Sequence, residues 1–510
     1  MILTIGEQEP DHRTKGDSFM KKVVFLTGAT GVMGTQTVKK FMEHTDEFEL
    51  RVLARPSEVN YQKLAPYGDN IKIIWGNLMD YDLLSRCMEG VDYVLHVGAI
   101  LNPIANDWPA DITLRTNYGS TLAMLRGIKQ FHQEDRTHFV YVSTLETLGH
   151  RESPKNWGRM GDPLQPPIYC YYALSKVFSE RAVAESGLKH WVVVRQCFQN
   201  PANPNAMWYP IVGHMPQDNC AEHIDCESAG NLMFQICRNA PEEFWRYAYH
   251  IGGGADLRFT NYDLIKALHG NARAGWEPKW YATKNYHGCY FVDSDKLQEL
   301  VPYRLKDRAA FLKDELAFQI RTAKSNPRLT PEETLAKNKR ISSKPGGTVW
   351  AVENDVEETI RVLYGSRAKY EAIPDSWDDI PIPAVNMEPI ILDHGYDESK
   401  PLSELDIGDM QGAAAFRGGK CLSETMEKGD LYTPLRWQCA FGHEFTGSPN
   451  LILRMGHWCP HCLTKEWNYY EQAKVNPFFA QVWDYAHEDE EPFSVKMECD
   501  TTVIDKCFAE

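Results

Sequence analysis

The chain has 510 residues, 43% of them hydrophobic and 24% charged, the composition of a folded protein and far from the low-hydrophobicity, high-charge corner of disordered chains. At roughly 100–200 residues per domain this length excludes one simple module and implies two or three units. Lys and Arg number 54 against 70 Asp and Glu, a formal charge of −16, which excludes a whole-surface attraction to phosphate backbones or anionic lipid and argues against nucleic acid as a partner.

Residues 1–20 read as a flexible N-terminal arm without the apolar core of a secretory signal. Nowhere does an apolar run approach the ~20 residues of a membrane span. The 13 cysteines are mostly scattered singly, which argues for reduced thiols, and a cytoplasmic protein without a membrane span is expected. From residue 21 to 325, short apolar runs at 23–28, 50–55, 71–76, 92–99, 138–144 and 190–196 alternate with amphipathic stretches. That alternation predicts an α/β fold, a doubly wound parallel sheet covered on both faces.

Residues 326–404 read as a helical segment and linker. Thr330 at an N-cap, Pro331 at the first helical position and Glu333 three residues after the cap predict a helix start. Val356, Ile360 and Leu363 share one face of a second helix, and the Pro-rich, acidic stretch 373–404 is expected to be a linker or a strap over the first domain. Residues 405–470 hold a Cys/His segment, and 471–510 an acidic, aromatic tail. There is no internal repeat.

Thr27-Gly28-Ala29-Thr30-Gly31-Val32-Met33-Gly34 follows the first strand and opens a helix. Glycines at this spacing let the turn close and let backbone N–H groups approach a pyrophosphate at the positive helix end. Tyr172 and Lys176 lie four residues apart on one helix face, after a strand ending Val142-Ser143-Thr144. With these motifs in register, residues 21–325 resemble the extended branch of the short-chain dehydrogenase/reductase superfamily: epimerases, dehydratases and hydroxysteroid-type dehydrogenases. Asn77-Leu78, His96-Val97-Gly98-Ala99, Asn117 and the 291–297 segment also match. The resemblance implies a Rossmann-type fold, with Thr27, Gly28, Thr30, Gly31, Val32, Met33, Gly34, Asn77, Leu78, Gly98 and Lys176 contacting a nicotinamide dinucleotide. A homodimer through a helical interface is the assembly it suggests.

Tyr172 is the candidate proton carrier and Lys176 its electrostatic partner, and the resemblance implies that Thr144, with Ser143 as the neighbouring alternative, is the donor to the substrate oxygen. A free phenol titrates at about pH 10, too high for a base at neutral pH. An ammonium ~4 Å away at an effective dielectric of ~20 supplies about 4 kcal/mol toward lowering that value. The second strand ends Val52-Leu53-Ala54-Arg55 with no acid before Glu58, so NADP(H) is favoured over NAD(H) through Arg55. Between Arg195 and Arg238 there is no Lys or Arg, and the stretch instead offers Trp208, Tyr209 and Met215. These are the expected substrate contacts, together with Thr144, for a lipophilic, steroid- or terpenoid-like alcohol or ketone. A nucleotide-sugar epimerase or dehydratase, with Arg246 and Arg258 reaching a diphosphate, is the alternative. A non-catalytic dinucleotide-sensing regulator is the reading from another class, and the Thr144/Tyr172/Lys176 set argues against it.

Near the C-terminus, Cys439 and His443 form a C-x3-H pair and Cys459 and Cys462 a C-x2-C pair, with 15 residues between them. This spacing suits two knuckles around one tetrahedral zinc, with Cys421, His457 and His461 as further candidates. The segment resembles small zinc-ribbon domains, which implies one structural Zn with no open coordination position. Across 415–465, six Lys and Arg against four Asp and Glu leave a net charge of +2, too slight for a phosphate-binding surface.

Overall fold

In the computed structural model the described residues are 21–201, 209–324, 329–499 and 501. Seven strands form a wholly parallel sheet: β1 (Lys22–Thr27), β2 (Phe48–Ala54), β3 (Ile71–Trp75), β4 (Tyr93–His96), β5 (His138–Thr144), β6 (His190–Gln196) and β7 (Tyr247–Ile251). The spatial order is β7-β6-β5-β4-β1-β2-β3. Six of these strands are the ones the apolar runs announce. β7 is an addition, pairing Tyr249 with Val194 of β6.

Successive strand side chains point to opposite faces, and in this sheet both faces are dry. Val24, Leu26, Val140, Val142, Val192 and Val194 enter one apolar cluster, while Phe25, Phe139, Tyr141 and Val193 enter another across the sheet. Helices cover both faces, so the central strands such as β5 and β6 hold unbroken apolar runs, while β2, FELRVLA, alternates in its first half. The strand order reverses between β1 and β4, and the carboxyl ends of parallel strands share one edge. Ligands of doubly wound sheets bind in the crevice at such an edge.

A third apolar core joins distant parts of the chain. Ala110, Leu114, Tyr171 and Leu174 pack with Ile360, Leu363, Tyr469, Phe479 and Trp483. Helix α1 (Val32–Met42) follows the glycine loop, and α2 (Tyr171–Ala184) carries Tyr172 and Lys176. Helix α3 (Pro331–Ser342) starts with the expected capping box between Thr330 and Glu333, and α4 (Glu357–Tyr364) buries Ile360 and Leu363. Helices α5 (Tyr469–Val475) and α6 (Pro477–His487) follow the Cys/His segment. The stretch before that segment lies along the first domain: Asn386 O accepts from Asn156 Nδ2 at 2.9 Å and Trp157 Nε1 at 3.0 Å, and Arg159 donates to Leu392 O at 2.8 Å.

The Cys/His segment contains three short antiparallel strands, with Leu435–Gln438 between Lys420–Cys421 and Glu444–Gly447, and it buries Trp437 completely. It docks on α2, where Arg181 donates to Trp458 O at 3.3 Å and Ser448 Oγ donates to Glu185 at 2.6 Å. Among the described residues no helix is long and apolar enough to cross a membrane, and none of the cysteines forms a disulfide.

Candidate active site and Cys/His cluster

The glycine loop sits at the carboxyl end of β1 against the carboxyl end of β4. Gly28 has φ +76°, and a Cβ there would lie 2.8 Å from the Gly98 Cα and N; at Gly34 a Cβ would come within 2.1 Å of Gly28 O. Both positions therefore require glycine, the first by conformation as well as by space. Thr27 Oγ1 accepts from Gly98 N at 2.9 Å and bonds His96 Nδ1 at 2.9 Å, tying the two strand ends together. Gly31 is the exposed N-cap of α1, followed by exposed Val32 and buried Met33, with Thr30 half-buried. The edge thus presents a helix N-terminus without side-chain obstruction, the geometry a pyrophosphate fits. Arg55 is exposed just beyond β2. Asn77, exposed, and Leu78, half-buried, lie just beyond β3. The structure therefore brings the expected dinucleotide contacts other than Lys176, which lies on α2, to the carboxyl ends of β1 to β4.

At the neighbouring strand end, Thr144 closes β5, and its hydroxyl acts on the Tyr172 phenol of α2 in the direction that lowers its pKa. Lys176 Nζ donates to Val142 O at 2.7 Å and stands 5.7 Å from the centre of the Tyr172 ring. Electrostatically the arrangement differs from expectation. Desolvation, reinforced by the Glu146 carboxylate, holds the Tyr172 phenol well above its ordinary value, whereas proximity to Lys176 was expected to lower it. The ammonium faces the Val142 carbonyl instead, and burial brings Lys176 itself down to about 7 against the opposing pull of Glu180 and Glu146. The raised value keeps the phenol neutral.

Glu146 is the residue that sequence reasoning missed. It lies two positions after Thr144, is 7% exposed, and accepts from Asn102 Nδ2 at 2.7 Å and Cys170 Sγ at 3.2 Å, with His287 Nδ1 3.6 Å away. Burial raises its carboxyl to about 7, with the hydrogen bonds and Lys176 pulling the other way. A buried acid raised toward neutrality is suited to general acid–base work. The available signal was an acid immediately past a strand end, in Thr144-Leu145-Glu146. Its partners Asn102, Cys170 and His287 are distant in sequence and gave none.

The residues expected to meet a lipophilic substrate are placed differently. Trp208 lies outside the described residues. Tyr209 and Met215 flank a short helical turn, Pro210–His214, that is bonded to other segments: Ala282 N donates to Gly213 O at 2.8 Å, His214 Nε2 bonds Gly346 O at 2.8 Å, and Asn261 Nδ2 donates to Met215 O at 3.3 Å. The two arginines considered for a diphosphate are also engaged. The Arg246 guanidinium lies 3.3 Å from the Tyr432 ring centre, and Arg258 pairs with Glu222 at 3.1 Å and donates to Phe291 O.

Cys439, His443, Cys459 and Cys462 converge, with their ligand atoms within 4.8 Å of one another. His443 Nδ1 lies 3.5, 3.6 and 3.7 Å from the three sulfurs of Cys439, Cys459 and Cys462, and the Cys462 and Cys439 sulfurs are 3.8 Å apart. With Zn–S of about 2.3 Å and Zn–N of about 2.05 Å, a tetrahedron has edges of about 3.8 Å between sulfurs and about 3.5 Å from sulfur to nitrogen. The four residues fit such an ion. Cys421, His457 and His461 are not part of this cluster.

Residues 24–202 match the model of the NAD dependent epimerase/dehydratase family. A dTDP-glucose 4,6-dehydratase of Streptomyces niveus is 25% identical over 278 residues, 50% of this chain and 79% of that protein. Sanguinarine reductase of Eschscholzia californica is 43% identical over 79 residues, 16% of this chain and 28% of that protein. A UDP-glucose 4-epimerase of Rickettsia bellii is 29% identical over 86 residues, 16% of this chain and 25% of that protein. This chain therefore spans only about a quarter of the length of the last two. The crystal structure of a dTDP-glucose 4,6-dehydratase from Streptomyces venezuelae, with NAD and TYD bound, covers 60% of this chain and 97% of its own at a TM-score of 0.47 and 22% identity. Residues 24–202 are thus similar to the epimerase/dehydratase family, and the parallel sheet with helices on both faces is a Rossmann-type fold. These similarities overturn the expectation of a steroid- or terpenoid-like substrate in favour of its nucleotide-sugar alternative. In the described part of the loop on which that expectation rested, Gly213, His214 and Met215 are tied to 282, 346 and 261 by hydrogen bonds.

Proposed function

We propose that the protein is an NAD(P)-dependent enzyme of the epimerase/dehydratase type that transiently oxidises a hexose hydroxyl of a nucleotide sugar, with dehydration as its reaction. The observation that carries this reading is Glu146: a buried acid two residues past Thr144, whose carboxyl accepts from Cys170, two residues before Tyr172, and whose charge acts on the phenol, supplies a second proton-transfer group. Alcohol–ketone exchange alone needs one proton carrier. Loss of water next to a newly formed ketone needs a second, because the acidified neighbouring C–H must give up a proton and the leaving hydroxyl must accept one. A regulator that merely senses a dinucleotide has no use for either.

A nicotinamide dinucleotide at the strand edge would supply hydride acceptance and return. Thr27 to Gly34 would hold its pyrophosphate through the amides opening α1, Gly98, Asn77 and Leu78 would line the same crevice, and Arg55 favours a 2′-phosphate and hence NADP(H). Lys176 would bond the nicotinamide ribose. Thr144 would orient the reacting oxygen and Tyr172 hold or move its proton, while Glu146 takes the proton from the adjacent carbon and returns it to the departing hydroxyl. The Cys439/His443/Cys459/Cys462 cluster would hold one structural zinc, all four positions being filled by protein.

The test is incubation with dTDP-glucose or UDP-glucose and NAD or NADP, followed by mass spectrometry and NMR of the sugar. Loss of one water supports the dehydratase reading, and a product of unchanged mass with an inverted centre replaces it with an epimerase. If neither sugar changes with either cofactor, the proposal is refuted.

A further inference from the structure

One buried carboxylate joins four parts of the chain beneath the candidate site. Glu180, fully buried, accepts from Arg195 of β6 through Nε at 3.1 Å and Nη2 at 2.8 Å, from the Ser143 hydroxyl of β5, and bonds His457 Nε2 of the Cys/His segment at 3.1 Å. It also stands one helical turn after Lys176 on α2, the spacing at which side chains of a helix meet. The same guanidinium donates to Met455 O at 2.9 Å. Gly456, at φ +77°, comes so close to the first domain that a Cβ there would lie 2.0 Å from Asp162 O. The backbone at 455–457 is thus clamped from both sides.

We infer that Glu180 is a positioning residue through which the Cys/His segment sets the alignment of Lys176 and Thr144: its carboxylate holds His457 on one side and, on the other, Ser143, the strand neighbour of Thr144, one turn from Lys176. This rests on the proton-transfer reading of Thr144, Tyr172 and Lys176. A buried ion pair is weak evidence for stability, since apolar residues of equal volume pack as well. What an ionised carboxylate adds is orientation of every donor it accepts from and a fixed negative charge near Lys176. Burial opposes its ionisation, but Arg195 and His457 outweigh burial and hold it at about 2. Of the charges acting on Lys176, Glu180 is the largest and Glu146 the next. The Tyr141 ring, 4.7 Å from Nζ, and the Tyr172 ring complete its surroundings.

The experiment is a double-mutant cycle on cofactor affinity, measured by titration calorimetry with whichever of NADP or NAD the full-length protein binds more tightly. His457→Leu cuts the link from the segment and leaves the Glu180–Arg195 pair intact; Lys176→Ala removes the group it is held to act upon. Each variant should weaken binding by about fivefold, and the double variant no more than Lys176→Ala alone, because both losses pass through one ammonium. Losses that multiply, or a His457→Leu affinity within about twofold of the parent, overturn the inference. Should His457→Leu fail to fold, Glu180→Gln with Arg195→Met removes both buried charges together and enters the same cycle with the same expectation. Should the parent bind neither cofactor, the proposed function falls. The inference is then decided by hydrogen exchange of 139–148 and 171–180: faster in the variant than in the parent supports the link, and unchanged exchange overturns it.

Discussion

Replacing Glu146 by Gln isolates the charge of the buried acid while keeping its shape. The Gln carbonyl can still accept from Asn102 Nδ2 and Cys170 Sγ, which converge on one Glu146 oxygen. In the parent the carboxyl is raised from 4.5 to about 7, so the folded state holds a proton that the unfolded state has released between those values. Stability from this group is fully present below pH 4.5 and is lost as pH rises through about 7. The interval corresponds to about 3 kcal/mol, or roughly a hundredfold in the ratio of folded to unfolded protein. Gln does not titrate and escapes the loss. Urea unfolding of parent and variant at pH 4.5 and pH 8 should therefore show the variant gaining about 3 kcal/mol relative to the parent at the higher pH. All other titrating groups are common to both proteins and cancel in the difference. A relative stability that is the same at the two pH values would refute the placement of Glu146 as a desolvated acid.

Tyr172→Phe should lower turnover by at least ~100-fold while cofactor affinity stays within about tenfold, since the ring still packs but carries no proton; parent-like turnover would remove Tyr172 from the chemistry. Arg55→Ala should weaken NADPH by roughly tenfold more than NADH in titration calorimetry, and equal losses would make Arg55 a surface charge only. Metal analysis should find about one zinc per chain, absent from Cys459→Ser with Cys462→Ser, and that variant should become protease-sensitive around 439–462. A metal-free parent with the same protease pattern would refute the zinc assignment.

The parallel sheet was legible because central strands covered on both faces are apolar on both, and runs such as Val192-Val193-Val194 recur between amphipathic stretches. The glycine loop was legible for a related reason: the close approaches at Gly28 and Gly34 tolerate no side chain, so the backbone requirement appears directly in the residue type. The Cys/His spacing encodes its own geometry, two knuckles whose ligand atoms converge to tetrahedral distances.

The electrostatics of the site and the use of the apolar loop were not legible. The four-residue spacing of Tyr172 and Lys176 places both on one helix face but does not say where the ammonium points, and the carbonyl of Val142 captured it. The loop around Tyr209 and Met215 has the composition of an apolar binding face. Whether it lines a pocket or packs depends on residues 261, 282 and 346, which no local pattern relates to it. Sequence by itself thus determined the parallel-sheet fold of the N-terminal part, the strand edge where a cofactor would lie and the four residues of the cysteine cluster, because each is dictated by local backbone geometry or by short spacing. Only the tertiary structure decided that Glu146 is a desolvated acid whose charge acts on Tyr172 and that His457 meets Lys176's helix at Glu180. Desolvation and long-range charge contacts such as that of Glu180 with His457, 277 residues apart, arise when distant segments share one interior, and that proximity is a property of the packed chain alone.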